Sequence, residues 1–198
     1  MTERTRKIFN IAGTCFGLAM ALAIVIGLTV TYLKEKKGEY YHVTKQEFLE
    51  IAEGGDDDEL LEEAFEWTEN FCPIGGKKLS KAPVSVQYAQ AMLHLHYEVL
   101  NGGFSQFYFN GYHTYGFQYE AAFRAAGLDG VADLYLQVRA YFEEIKHTLP
   151  SGSGIDDYTQ WASNSRWDEF DEEYADSQEE IAESIAQYIR NNISDFGD

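Results

Sequence analysis

Thirteen consecutive residues, Asn101 to His113, hold three glycines and five aromatics and carry no formal charge, in a chain whose net charge is −18. Phe104, Phe107, Tyr108, Phe109 and Tyr112 are stable only if buried, so this stretch demands a core around it. Gly102 and Gly103 follow an apolar helical pattern and stop it. Gly102 suits the left-handed position just past a helix end. The stretch is therefore expected to be an internal plug: the two glycines turn the chain, and Phe104, Phe107 and Tyr108 enter the core at helical spacing. Asn101, Gln106 and Asn110 are expected to hydrogen-bond loop backbone, and Gly111 closes the segment.

The acid excess around this plug is uneven. Residues 1–37 hold six Lys/Arg and two Asp/Glu, whereas residues 38–198 hold nine Lys/Arg and 31 Asp/Glu. An acidic domain of this kind is repelled by nucleic acid and attracted to basic partners, so direct nucleic-acid binding is not expected. Its many Phe, Tyr and Leu residues separate it from acidic disordered chains. Cys15 and Cys72 are the two cysteines, which gives no disulfide framework.

Residues 8–33 form an uncharged run of 26 residues, flanked by Arg4, Arg6 and Lys7 on one side and Lys34, Lys36 and Lys37 on the other. That length crosses the roughly 30 Å hydrocarbon core of a bilayer as a helix. A cleaved signal peptide is the rival reading, since Ala19-Met20-Ala21 mimics a cleavage site. Apolar residues continue straight past it, which favours an uncleaved single-pass anchor. The balanced flanking charges leave the side of the soluble part open. Gly13 and Gly17, with Ala21 one turn on, could bring two such helices together as a homodimer.

The expected organisation is a basic flank (1–7), the transmembrane helix (8–33), a neck (34–43), an acidic all-α domain (44–192) and a C-terminal tail (193–198). Thr44 and Glu47 form a capping box that opens the first helix. Asp56 to Glu59 open the second, with Leu60, Leu61, Ala64, Phe65 and Phe71 inward and Glu62, Glu63, Glu66 and Glu69 outward. A long helix spans 85–100, another about 115–126, another about 130–149. Ser151 to Gly154 read as a flexible link. Ser177 and Glu180 form a second capping box before a helix lined by Ile181, Ile185 and Ile189. No strand pattern occurs.

Catalytic and metal chemistry finds little support. His94 and His96 lie two apart and point to different sides of a helix, and His94 with Glu98 gives two ligands where zinc needs three or four. His94, His96, Glu98 and His113 read instead as partly exposed polar groups. Gly102-Gly103 lacks the Lys and Ser/Thr of a phosphate loop. No catalytic residue, metal or cofactor is assigned.

The segment Glu98-Val99-Leu100-Asn101-Gly102-Gly103-Phe104-Ser105-Gln106-Phe107-Tyr108-Phe109-Asn110-Gly111 resembles the signature of the bacterial DNA-mimic protein (DMP) family, a domain of otherwise unknown function. Its members show a pattern like E-x-x-N-G-G-F-x-Q-F-F-x-N, followed by a helix with small residues, here Ala121 to Gly127. The resemblance covers about residues 44–192. It implies an all-α fold and, for the studied type, an acidic dimer that occupies the DNA-binding face of a transcription factor. The membrane anchor departs from that pattern.

The expected function is thus a non-enzymatic, membrane-anchored acidic module that binds a basic or DNA-binding protein, with DNA mimicry as the expected mode. Its candidate contacts are Asp56, Asp57, Asp58, Glu62 and Glu66 on one helix, and Asp168, Asp171, Glu172, Glu179 and Glu183 near the C-terminus. An immunity or inhibitor protein against a basic toxin domain, or a metal-dependent hydrolase, are the alternatives.

Overall fold

Helix α1 (Lys45–Gly54) begins where the sequence expects it. Thr44 N–H donates to Glu47 Oε2 at 2.8 Å and Glu47 N–H donates back to Thr44 Oγ1 at 3.3 Å, the reciprocal capping box. Helix α2 (Asp57–Phe71) is capped by Asp56, whose carboxylate accepts Glu59 N–H at 3.1 Å. Helix α3 (Val84–Phe109) is the central element. A 3₁₀ turn (Tyr112–Tyr115) leads to α4 (Tyr119–Ala125) and α5 (Asp129–Ile145). Helices α6 (Ile155–Ala162), α7 (Ser165–Ala175) and α8 (Gln178–Asn191) complete the chain. The computed structural model describes residues 44–54, 56–72, 78–150, 155–163 and 165–196.

Among the described residues every regular element is helical, as the sequence predicts. α3 packs against α2, α4, α6, α7 and α8, while α2 also meets α8 and α4 meets α5. The core follows the periodicity read from the sequence: Leu60, Leu61 and Ala64 of α2, Val138 and Phe142 of α5, and Ile181, Ile185 and Ile189 of α8 are all buried. Trp167 and Tyr174 of α7, each 1% exposed, join the same core, so the most acidic part of the chain is anchored in it.

Several boundaries differ from the sequence reading. The helix expected over 85–100 continues to Phe109, because the chain kinks at Gly102-Gly103 and resumes rather than ending. The helix expected from about 115 starts at Tyr119, after the Gly116 turn with φ +77°. The second capping box does not form: Ser177 has ψ 6°, its side chain makes no cap bond, and its N–H closes a turn onto Tyr174 C=O at 3.1 Å. Residues 193–196 are not a tail, since Phe196 is fully buried and stacks on Phe48 with centroids 5.7 Å apart.

The transmembrane run 8–33, its Gly13/Gly17 face, the neck, the 151–154 link and the Phe71 side chain lie outside the described residues. Among the described residues no helix is long and apolar enough to cross a membrane.

Candidate functional site

The plug is helical, and its two glycines have different jobs. Gly103 adopts φ 76°, ψ 178°, a region essentially open only to glycine. A Cβ there would also overlap the Asp171 carboxylate. Gly102, expected in the left-handed region, is instead extended at φ −161°. At the break, the C-terminal helices bond to the backbone on either side of Gly103. Asp171 Oδ1 of α7 accepts Phe104 N–H at 2.7 Å, and Tyr158 Oη of α6 donates to Gly102 C=O at 3.0 Å. Ser105 Oγ lies 3.1 Å from the same Tyr158 hydroxyl.

A second set of contacts spans the kink from the other side. Gln106 Nε2 and Asn110 Nδ2 both donate to Glu98 Oε2, at 3.2 and 2.8 Å. The amides therefore bridge the two halves of α3 through one carboxylate, rather than bonding loop backbone as the sequence suggests. Glu98, Gln106 and Asn110 belong to one unit because the kink brings their faces together. Phe104, Phe107 and Tyr108 all enter the core, whereas Asn101 is exposed. Gly111 closes the half-helix in the left-handed conformation at φ 79°.

His94 and His96 are interior groups, not the partly exposed ones expected from sequence, whereas His113 and Glu98 are partly exposed as expected. His94 and His96 are each 4% exposed. His94 Nε2 lies 2.7 Å from Glu69 Oε1, so Glu69 turns towards α3 instead of outward. Burial alone would raise the Glu69 carboxyl, but its bonds to His94 and Gln90 hold it below the usual range. His96 Nδ1 lies 3.0 Å from Tyr174 Oη, and burial lowers its pKa to about 4, against a weaker pull from Asp58. His113 packs on Tyr108 and Phe142. Among the described residues no three His, Cys, Asp or Glu side chains converge as a metal would require.

The ten acids singled out in the sequence separate into two sorts. Asp58, Glu62 and Glu66 on α2, Asp168 and Glu172 on α7, and Glu179 and Glu183 on α8 are exposed. Asp56 is exposed but occupied as a cap, and Asp57 pairs with Arg190 of α8. Asp171 faces inward to the kink, where burial and neighbouring Asp168 raise its pKa. It is one turn from acids that face solvent, and sequence spacing alone does not separate them.

Several of the cations are already engaged. Arg124 is held by Glu120, Asp129 and Asp133 at 3.2, 3.0 and 2.7 Å. Lys146 pairs with Glu143 at 2.6 Å, and Arg166 covers the Tyr141 and Phe170 rings at 4.9 and 5.6 Å. Asp58, Glu62, Glu66, Asp168, Glu172, Glu179 and Glu183 are exposed, and among the described residues they take part in none of these pairs.

A buried, glycine-dependent kink inside an acidic all-helical domain is what the E-x-x-N-G-G-F signature encodes. The chain belongs to the DMP19-like protein family, whose match covers residues 80–192, more than half of its length. That range runs from α3 through α8 and contains every group of the clasp that holds the kink: Glu98, Ser105, Gln106, Asn110, Tyr158 and Asp171. No curated protein and no solved structure matches the chain.

Proposed function

We propose that this chain is a protein-binding module of the DNA-mimic type, which presents the exposed acids of α2, α7 and α8 to a basic, DNA-binding protein. The observation that carries this reading is the exposed outer acid face: Asp58, Glu62, Glu66, Asp168, Glu172, Glu179 and Glu183 lie on helices fixed by one core. Rigid placement matters, because a duplex offers one phosphate charge per roughly 1.7 Å of axis, and a partner evolved for it needs charges held in place. Membership in the DMP19-like family supports the same reading. The buried His94 and His96, each committed to an internal partner, favour binding over catalysis. Residues 8–33 would hold the module at a membrane, as a single-pass anchor.

Two experiments test this. The full chain, purified in detergent, is used to capture partners at low and at high salt. Charge-led recognition loses its partner as salt rises, because exposed charges are screened within about 10 Å at 0.1 M; retention unchanged at high salt sinks the proposal. A topology reporter fused after Asp198 tests access, because a cytoplasmic domain can meet a DNA-binding protein and an exported one cannot.

A further inference from the structure

A cleft of about 180 Å³ opens between the start of α5 and the junction of α7 with α8. Its lining has two chemistries. Leu128, Val131 and Tyr174, respectively 4%, 9% and 1% exposed, give an apolar floor. Three acidic residues, Asp129, Glu173 and Glu180, line the same cleft from three different helices. Glu173 and Glu180 fall within the acidic stretch singled out from sequence, whereas Asp129 lies outside it.

The volume decides what can enter. Sites for whole small molecules span roughly 300–1,000 Å³, so this cleft fits a single side chain rather than a cofactor. Its amphipathic lining matches the one side-chain type with an apolar stem and a cationic head, which buries its methylenes and leaves the charge at the rim. Local dipoles do not cancel the negative charge. The N-termini of α5 and α8 each contribute about half a positive charge and the C-terminus of α7 about half a negative one, less than three carboxylates. Arg124 reaches Asp129, but its charge is shared with Glu120 and Asp133.

We propose that this cleft is a subsite for one lysine or arginine side chain projected by the basic partner. It rests on the reading that the partner is basic, and it gives that recognition a fixed register. Diffuse charge attracts a partner, and a cation seated in a pocket specifies its orientation.

The test uses the full chain in detergent with methyl-labelled leucine and valine. It is titrated with acetylated, amidated Gly-Arg-Gly and Gly-Lys-Gly, with a citrulline tripeptide as the neutral control. The cationic peptides should shift the Leu128 and Val131 methyls saturably, and the citrulline peptide should not. Glu173→Gln with Glu180→Gln should weaken binding at least tenfold, whereas Glu62→Gln with Glu66→Gln, equal in charge change, should cost less than twofold. Gly130→Leu blocks the cleft without altering charge. A Cβ at Gly130 meets nothing within 4 Å, and replacing a helical glycine favours the helix, so this variant is expected to fold, which its unfolding curve checks. It should also weaken binding at least tenfold. No shift at Leu128 and Val131, or equal losses in the two glutamine pairs, overturns the cleft. Polylysine binding then separates the two ideas. If it persists, the acidic-face reading stands without the cleft; if it is absent, both fall.

Discussion

The clasp and the acidic faces use the same residue types under opposite conditions. At the kink, Glu98 collects two amides and Asp171 collects a backbone N–H. On the outer surface, Glu62, Glu66, Glu172 and Glu183 face water. In the interior an unmet polar group costs about 1–3 kcal/mol, so each must find a partner and each contact constrains the fold. In water the same carboxylate costs almost nothing and constrains almost nothing. Asp168 and Asp171 show the contrast within one turn of α7: one is solvated, the other is locked onto Phe104. Substitutions in the clasp should therefore read out as stability, and substitutions on the faces as binding.

The sharpest way to break that division is Gly103→Ala. It places a Cβ in a glycine-only conformation and against Asp171, and should cost about 3 kcal/mol or more in thermal or denaturant unfolding. Gly111→Ala is the matched control. It also has positive φ, but nothing lies within 4 Å, so its cost should stay near 1–2 kcal/mol. Equal losses at the two positions would remove the Asp171 contact from the account.

The next effect is pH-dependent. His96 has its pKa lowered to about 4 by burial, from an ordinary 6.5. The unfolded chain therefore takes up this proton before the folded one does. The stability tied to neutral His96 is complete above pH 6.5 and is lost as pH falls from 6.5 towards 4. At about 1.4 kcal/mol per unit the loss is on the order of 3 kcal/mol. Asp171, raised by burial, works in the opposite sense as pH falls towards 3.8, because its protonation relieves a buried charge. Unfolding curves of wild type and His96→Gln across pH 7 to 4 should diverge. Parallel curves would show that His96 does not control this window.

Asp171→Ala should cost about 1–3 kcal/mol by stranding the Phe104 N–H, whereas Asp171→Asn keeps an acceptor and should cost less. The smallest stability effect belongs to Glu62→Gln combined with Glu66→Gln and Glu183→Gln. Melting should move by no more than about 0.5 kcal/mol per site, while capture of a basic partner and its salt dependence both fall. A large melting shift in this triple variant would mean that the faces are structural too.

Much of this was legible in the sequence because it is local. The Thr44–Glu47 box, the Asp56 cap and the isoleucine stripe of α8 depend on residues three or four apart, and the chain itself sets that spacing. The glycine pair announced a break and the uncharged aromatics announced burial. The inward turn of Asp171, the pairing of Asp57 with Arg190 and the burial of His94 and His96 were not legible, since each partner lies on another helix. Composition determined an acidic, all-helical chain with an aromatic plug, because charge count and periodicity are properties of the chain alone. Which carboxylates hold the kink, which face water and which acidic residues line the cleft over Leu128 and Val131 was decided only by the packing of the helices. Distance and burial set the cost of a charge, and both exist only once the helices are packed.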